Sequence, residues 1–247
     1  MNKFLVYILL ATISLSCKPS RVSVQEPKQV IIANENGAGP MIILDFVKGI
    51  EHNHPSFVLW VEDMENKYIQ TLFVTKSVGT GVFKHGETSS GKWMPSEIRR
   101  PAALPYWAHK RGVKAEDGLY IPSKDNPVPD AYTGATPARD AEVKTRFDND
   151  PPRRFRILFE INQTWDWNEY WTNNKYPDDD EYKTSCQPAL VYMTEVDMDN
   201  LQDKYEMRAI GHSHYSGKSG ELFTDLSTIT TALEIAESIH IRIIPDY

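Results

Sequence analysis

Two threonine hydroxyls stand on either side of a Gly-Ala pair in residues 130–139, which read DAYTGATPAR. The chemistry of interest belongs to the pattern D-x-x-T-G-A-T, formed by Asp130, Thr133, Gly134, Ala135 and Thr136. A hydroxyl can form a phosphoester, the glycine leaves a modifying enzyme unobstructed and gives the backbone unusual freedom, and the flanking prolines limit regular structure. The segment therefore predicts a site of covalent attachment. The alternative is a solvated turn, because Pro, Gly, Asp and Thr all favour turns.

This pattern resembles the flavinylation motif of extracytoplasmic electron-transfer proteins. In those proteins a dedicated FMN transferase attaches FMN, through its phosphate, to the last hydroxyl of the motif. The resemblance implies that Thr136 is the acceptor and that Thr133 serves in recognition of the motif. Because the ester adds negative charge, we expect a nearby cation to pair with the phosphate, namely Arg139, Lys144 or Arg146.

A second resemblance covers residues 40–244. The segments SFVLWVEDMENKYIQTLFVTK, ALPYWAHKRG and DAYTGATPA, followed by a strand ending in FEIN, occur in the order seen in domain-of-unknown-function family 2271. This resemblance implies an immunoglobulin-like sandwich in a periplasmic protein, and some members of the family occur with flavin-dependent redox systems. The insert at residues 163–186 departs from the family pattern.

That insert is rich in aromatic residues and acids. We consider Trp165, Trp167 and Trp171 as candidates for stacking on an isoalloxazine ring or on the face of a sugar. The alternative, which we favour, is a loop that buried aromatic side chains pin to the sandwich, because Trp is usually buried.

Two His-x-His pairs, His52 with His54 and His212 with His214, are weak candidates for metal ligands. On a strand, residues two apart face the same way, so either pair offers two imidazoles to one ion. Neither pair has an evident third ligand, which favours ordinary strand-end or loop histidines. Hydrogen bonds from His212, His214 and Tyr215 to a flavin are a further alternative.

The first 16 residues predict a signal peptide. Lys3 precedes an apolar run over residues 4–13, and small residues lead to Cys17. This pattern resembles a bacterial lipoprotein signal, which implies that Cys17 becomes acylated and that residues 17–28 form a short tether. The expected location is the bacterial cell envelope, as a periplasmic or outer-membrane lipoprotein bound to membrane lipid through Cys17. The alternative is an ordinary secretory signal.

Composition places the chain among globular proteins and argues against a nucleic-acid partner. Of its 247 residues, 40% are hydrophobic and 25% are charged, with a formal net charge of -7. The basic residues are dispersed, whereas duplex binding requires clustered cations. With Cys17 acylated, Cys186 has no partner, so no disulfide framework is expected.

Short apolar segments with β-branched and aromatic residues must position the motif. They predict an all-β, antiparallel β-sandwich with long loop insertions, formed by one domain over residues 29–247. Gly118–Pro122 is a weaker strand candidate, and Thr230–Glu237 fits a short helix or an extension of the last strand. The predicted strands are Met41–Val47, Phe57–Glu62, Tyr68–Thr75, Phe155–Ile161, Ala189–Val196, Tyr205–Ile210 and Ile239–Ile244.

The leading functional hypothesis is a lipid-anchored redox protein that carries FMN on Thr136 and passes electrons between partner proteins. Such a protein is an electron carrier more than an enzyme that turns over a substrate, and no catalytic residue is assigned. Two other hypotheses stay open. One is a surface binding module for a glycan or protein that uses the Trp/Tyr-rich insert, and the other is a metal-binding sandwich that uses His212 and His214.

Overall fold

The computed structural model describes residues 26–87 and 94–245. The expected signal peptide and Cys17 lie outside the described residues, together with most of the expected tether. Their assignment stays a prediction.

The described chain is dominated by strands, with three short helices. The helices are α1 (Lys76–Thr80), α2 (Pro105–Arg111) and α3 (Asp180–Ser185). Single 3-10 turns cover Asp130–Tyr132 and Thr231–Glu234. The strands are β1 (Gln29–Ile32), β2 (Met41–Lys48), β3 (Ser56–Glu62), β4 (Tyr68–Thr75), β5 (Val82–Glu87), β6 (Met94–Glu97), β7 (Thr133–Gly134), β8 (Ala141–Arg146), β9 (Arg154–Asn162), β10 (Leu190–Asp197), β11 (Tyr205–Glu206), β12 (Arg208–His212) and β13 (Ala236–Ile244).

Two sheets pack face to face, which confirms the predicted β-sandwich with long insertions. One sheet has five strands in the order β1-β8-β2-β13-β11, and the other has six in the order β12-β10-β9-β3-β4-β7. Strands β5 and β6 form a separate hairpin. The pairing is antiparallel except for β1 with β8 and β4 with β7. The sheets are therefore not purely antiparallel. In each parallel pair, the two strands are far apart in the chain and are joined by a long connection rather than by a hairpin.

Several predicted strands need correction. The single strand expected over Tyr205–Ile210 is divided, because the chain leaves the five-stranded sheet after β11 and joins the six-stranded sheet as β12. Gly118–Pro122 is not a strand and lies in the long loop after α2. Both readings of Thr230–Glu237 are partly right, since a 3-10 turn at Thr231–Glu234 runs directly into β13. The other predicted strands are confirmed to within one residue at each end, except that β13 begins three residues before the expected Ile239.

The main core lies between the sheets and consists of aliphatic and aromatic side chains from both. Phe57 occupies its centre, with ring centroids 5.1 Å from Phe159 and 5.3 Å from Phe73. These three residues belong to adjacent strands of the six-stranded sheet, and Phe46 of the facing sheet stacks on Phe57 at 5.8 Å. Aromatic contacts of this kind add to the hydrophobic stabilisation of a sandwich core.

A second core covers the outer face of the six-stranded sheet. Helix α2 and the loops around it bring Leu104, Trp107 and Val128 against Val58 and Trp60 of β3. Every residue of β3 is consequently buried, which agrees with its continuous apolar run FVLWV at residues 57–61. The aperiodic segment between β4 and β9 thus forms much of this cover, in addition to carrying the D-x-x-T-G-A-T motif.

Candidate functional site

The motif is folded against the edge of the six-stranded sheet. Its first residues form the 3-10 turn, and β7 then pairs with the end of β4, with Thr133 opposite Val74. The Thr133 hydroxyl donates to the carbonyl oxygen and to the carboxylate of Asp130, at 3.1 Å each. Lys76 binds the same carboxylate at 2.9 Å. The hydrogen bond from Lys76 and the one from Thr133 lower the pKa of Asp130, so the motif holds its own acid in the charged form.

Gly134 is required by close packing rather than by an unusual backbone angle. A Cβ atom at this position would lie 2.5 Å from Cε2 of Phe73 and 3.0 Å from Cγ2 of Ile31. Carbon atoms normally approach to about 3.5–4.0 Å, so no larger residue fits without displacement of the core. Backbone freedom, the reason offered from the sequence, is therefore not why a glycine stands here, since Gly134 does not have a positive φ.

Thr136 follows β7 in an irregular stretch and is half-buried, whereas Ala135 before it is exposed. The Thr136 hydroxyl makes no hydrogen bond within the described part of the chain and is not among its buried unpaired atoms. Pro137 is buried, and the Ala138 amide donates to Oε1 of Gln29 at 3.2 Å. The segment that carries the hydroxyl is thus fixed at both ends, and no described residue forms a hydrogen bond with the hydroxyl oxygen.

Of the three cations expected near a phosphate, Arg139 has the best-suited surroundings. Its Nε is buried and has no partner among the described residues. Arg146 donates from Nη1 to the carbonyl of Gly39 at 2.8 Å, and Lys144 lies 3.6 Å from Glu142. Arg139 is also three residues from Thr136, and a guanidinium pairs well with a phosphate.

A cavity of about 170 Å³ lies beside the motif. Its wall joins the start of β4, the end of α2 and the 3-10 turn, and two of its residues carry a buried N–H group without a partner in the described chain, Arg111 at Nη1 and Gln70 at Nε2. The motif residue Tyr132 contributes to the same wall. These two N–H groups have no accessible surface, so a ligand in the cavity would reach the aromatic side chains of its wall rather than these donors.

His212, His214 and the aromatic insert lie far from the motif. Strand β12, which ends at His212, occupies one edge of the six-stranded sheet, and β7 occupies the opposite edge. Five strand spacings separate these edges, or about 24 Å. Trp171 packs 6.0 Å from the His212 ring, so the insert adjoins the β12 edge. Contacts of these residues with a flavin on Thr136 of the same molecule, which we considered from sequence, would have to span this distance.

The insert is only partly pinned to the sandwich. Trp171 is buried and donates from Nε1 to the Thr228 hydroxyl at 3.1 Å, as the favoured interpretation expects. Trp165, Trp167 and Tyr170 are instead 68%, 56% and 52% exposed, which corrects that interpretation. Trp165 also has a φ of 56°, a strained value for a bulky aromatic residue. Exposed tryptophans on a strained segment are a candidate binding surface.

The second His-x-His pair finds other partners. His212 Nδ1 lies 2.8 Å from the Ser213 carbonyl oxygen, and burial lowers the His212 pKa. The ring of His214 stacks on Tyr215 at 4.4 Å. In the parts of the chain that the structure describes, no three residues of the metal-ligating types His, Cys, Asp and Glu come together.

Sequence reasoning missed two fully buried carboxylates beneath α2. Glu160 of β9 accepts hydrogen bonds from the backbone amides of Tyr106 and Trp107, at 3.1 and 2.9 Å, and so caps the start of this helix. Glu62 of β3 accepts from Trp60 at 3.0 Å and pairs with Lys110 at 3.3 Å. Burial raises the pKa of Glu160 to about 8, against the lowering effect of the two amides. Both acids stand within predicted strands, and nothing in the local sequence indicates the helix that covers them.

No family model, curated protein or solved structure matches the chain. The resemblance to family 2271 and to the flavinylation motif accordingly stays a prediction from the quoted residues. None of the helices formed by residues 26–87 and 94–245 has the length and apolar character to cross a membrane.

Proposed function

We propose that this protein is an extracytoplasmic electron-transfer protein that carries FMN covalently on Thr136. The observation that carries the proposal is the burial and the hydrogen bonding of Thr136, the proposed acceptor. Thr136 is half-buried, its hydroxyl is free of hydrogen bonds to described residues, and Asp130 and Gly134 fix its segment to the sheet edge.

The chain's own residues account for holding such a group. Thr136 would provide the ester oxygen, and the guanidinium of Arg139, three residues away, would provide a cationic partner for the phosphate. The cavity lined by Tyr132, Gln70 and Arg111 offers an aromatic flank nearby. A bound flavin supplies one- and two-electron transfer, and the protein's part is to position it and to set its potential through hydrogen bonds and charge. The proposed role is an electron carrier whose partners are an FMN transferase and a redox protein.

The proposal includes a lipid anchor at Cys17. The support is the charged start, the short apolar run and the small residues that precede Cys17. An acyl anchor would keep the carrier at the envelope membrane, where its electron donors and acceptors meet. Native protein should fractionate with membranes, and Cys17→Ala should release or mislocalise it. Soluble, lipid-free native protein that begins well past residue 17 would contradict the anchor.

The flavin proposal is tested by co-expression with a competent FMN transferase and by in-gel fluorescence after denaturation. The wild-type band should fluoresce, and Thr136→Ala should not, because no oxygen remains to form the ester. Thr136→Ser should keep part of the signal, since the nucleophile is the same. Equal fluorescence of the wild-type and Thr136→Ala bands would exclude Thr136 as the acceptor.

A second candidate function is favoured by the exposed aromatic residues of the insert. Trp165 and Trp167 leave most of their indole surface in water, and flat exposed rings of this kind stack on sugar faces. The protein would then be a surface glycan-binding module. Glycan-array binding that Trp167→Ala abolishes would support this function. Ile50→Ala is the control, because Ile50 is another exposed apolar residue, at 86%. Loss of binding in both variants, or in neither, would contradict it.

A further inference from the structure

Three connections between strands meet at one end of the sandwich. Lys48, the last residue of β2, lies opposite Ala236, the first residue of β13, and Ser56 of β3 lies opposite Asn162 of β9. The loop from β2 to β3, the insert after β9 and the 3-10 turn before β13 therefore leave the sheets at the same end. We call it the insert end and define it by residues 49–55, 163–189 and 228–235.

Hydrogen bonds join the three parts of the insert end. The Asn53 amide of the loop donates to Oε1 of Gln163 at 3.1 Å. The Thr231 hydroxyl of the 3-10 turn donates to the carboxylate of Asp166. The loop and the turn are thus both held against the insert, and the three parts form one surface.

The insert end exposes large apolar side chains from all three parts. Asp166 is buried, whereas Trp165 and Trp167 on either side of it are exposed. Ile50 of the loop and Leu233 of the turn are also exposed. Exposed apolar side chains that are grouped in this way mark surfaces that bind a protein or a membrane.

The chain enters its first strand from the same end. Gln29 begins β1 opposite Ala141, and Ala141 lies opposite Phe46 of β2. Because β1 is parallel to β8 and β8 is antiparallel to β2, the chain enters β1 from the end at which β2 finishes. Cys17 precedes Gln29 by twelve positions, so it lies at most about 40 Å from β1. A bilayer that holds an acyl chain on Cys17 is therefore within reach of the insert end.

The side chains of the insert end suit a lipid surface without net charge. Tryptophan is enriched at the interface between bilayer and water, because its ring is apolar and its N–H group is polar. Exposed Ile and Leu side chains add apolar area that can enter the boundary between head groups and acyl chains. Three exposed acids, Glu51, Glu169 and Glu234, stand in the same segments. Anionic lipids repel these charges, so a zwitterionic surface is the better partner.

We infer that the insert end docks the domain on a zwitterionic bilayer surface, with Trp165 and Trp167 at the level of the lipid head groups. The inference rests on the lipid anchor at Cys17, which belongs to the proposed function. Docking would give a tethered domain one orientation on the membrane. Thr136 lies toward the same end, because β7 runs parallel to β4 and β4 finishes beside the start of β3. The proposed flavin site would then also lie near the membrane surface.

The test places a fluorophore at either end of the acylated protein in phosphatidylcholine vesicles. Ile50→Cys and the control Glu65→Cys are each labelled with nitrobenzoxadiazole, and quenching by spin-labelled phosphatidylcholine is measured. Glu65 is exposed in the turn after β3, whose seven residues separate it from the insert end by about 20 Å. The label reacts with the new thiol, because Cys186 is buried and Cys17 is acylated. Quenching should be at least twofold stronger at position 50 than at position 65.

Two variants separate docking from simple tethering. Trp165→Ala combined with Trp167→Ala should remove the difference between the two positions, while the protein still floats with the vesicles. Ile244→Ala should keep the difference, because Ile244 is an exposed apolar residue at the opposite end of β13. Phosphatidylglycerol added to the vesicles should weaken quenching at position 50, because like charges repel.

Several results would overturn the inference and leave the anchor intact. They are equal quenching at both positions in protein that floats, a difference that survives the loss of both tryptophans, and stronger quenching with phosphatidylglycerol. Binding on a glycan array that depends on Trp167, without quenching by lipid, would also overturn it and assign the tryptophans to the second candidate function. Wild-type protein that does not float with the vesicles would contradict the anchor, and the inference would fall with it.

Discussion

Gly134→Ala should destabilise the fold because the new methyl group has no space. It would stand 2.5 Å from Cε2 and 3.0 Å from Cζ of Phe73, about 1 Å closer than carbon atoms normally pack. Phe73 is fully buried and lies against Phe57, so its ring has no solvent-facing position to move into. Overpacking of this kind costs about 1–3 kcal/mol. For a domain of this size, 1 kcal/mol lowers Tm by about 2–4 °C, which gives an expected fall of about 2–12 °C.

The assay is thermal unfolding of unmodified protein followed by circular dichroism. Thr136→Ala is the control on the same segment, and it should change stability by no more than about 0.5 kcal/mol, because Thr136 is half-buried and without hydrogen bonds to described residues. The double variant Gly134→Ala with Phe73→Leu should lose less stability than the sum of the single variants, because a smaller side chain makes room for the methyl. A wild-type Tm for Gly134→Ala, or strictly additive effects, would refute the packing argument.

Further predictions concern other parts of the fold. Because the folded-state pKa of Glu160 is raised to about 8 from 4.5, the folded state holds this proton more tightly, and the free energy of unfolding should fall as pH rises from about 4.5 to 8. Glu160→Gln should flatten this part of the stability profile in urea titrations, and an unchanged slope would count against the assignment. Trp171→Ala should lose about 3–5 kcal/mol in the same assay, whereas Trp167→Ala should stay within about 0.5 kcal/mol, and equal losses would contradict their burial. Thr133→Ala should reduce FMN attachment measured by in-gel fluorescence without abolishing it, since its hydroxyl organises Asp130 but is not the acceptor.

Strands with strong alternation were predictable, and strands made by pairing alone were not. The hairpin of β3 and β4 and the pair β9 and β10 carry β-branched and aromatic residues at a period of two, so local sequence specifies them. Strand β8 reads AEVKTR, and most of its residues are polar. Every second residue is nevertheless buried where β8 pairs with β2. Strand β7 has two residues and exists because β4 provides a free edge.

The candidate site was predictable in its chemistry and not in its surroundings. The order of residues in DAYTGATPAR is enough to propose Thr136 as the acceptor, through its resemblance to a flavinylation motif and without reference to a fold. The function of Gly134 depends on Phe73, which is 61 positions earlier, and the cavity joins Gln70, Arg111 and Tyr132. Such contacts depend on how the cover around α2 packs on the sheet, and the aperiodic sequence of that cover carries no signal for it.

The most direct test of the account is whole-protein and peptide mass spectrometry after co-expression with an FMN transferase. Wild type should gain the mass of FMN less one water, and this gain should map to the peptide containing Thr136. Thr136→Ala should show the unmodified mass under the same conditions. No mass gain on wild type with a transferase that is active on another substrate, or a gain that persists in Thr136→Ala, would contradict the assignment of Thr136 as the flavin site.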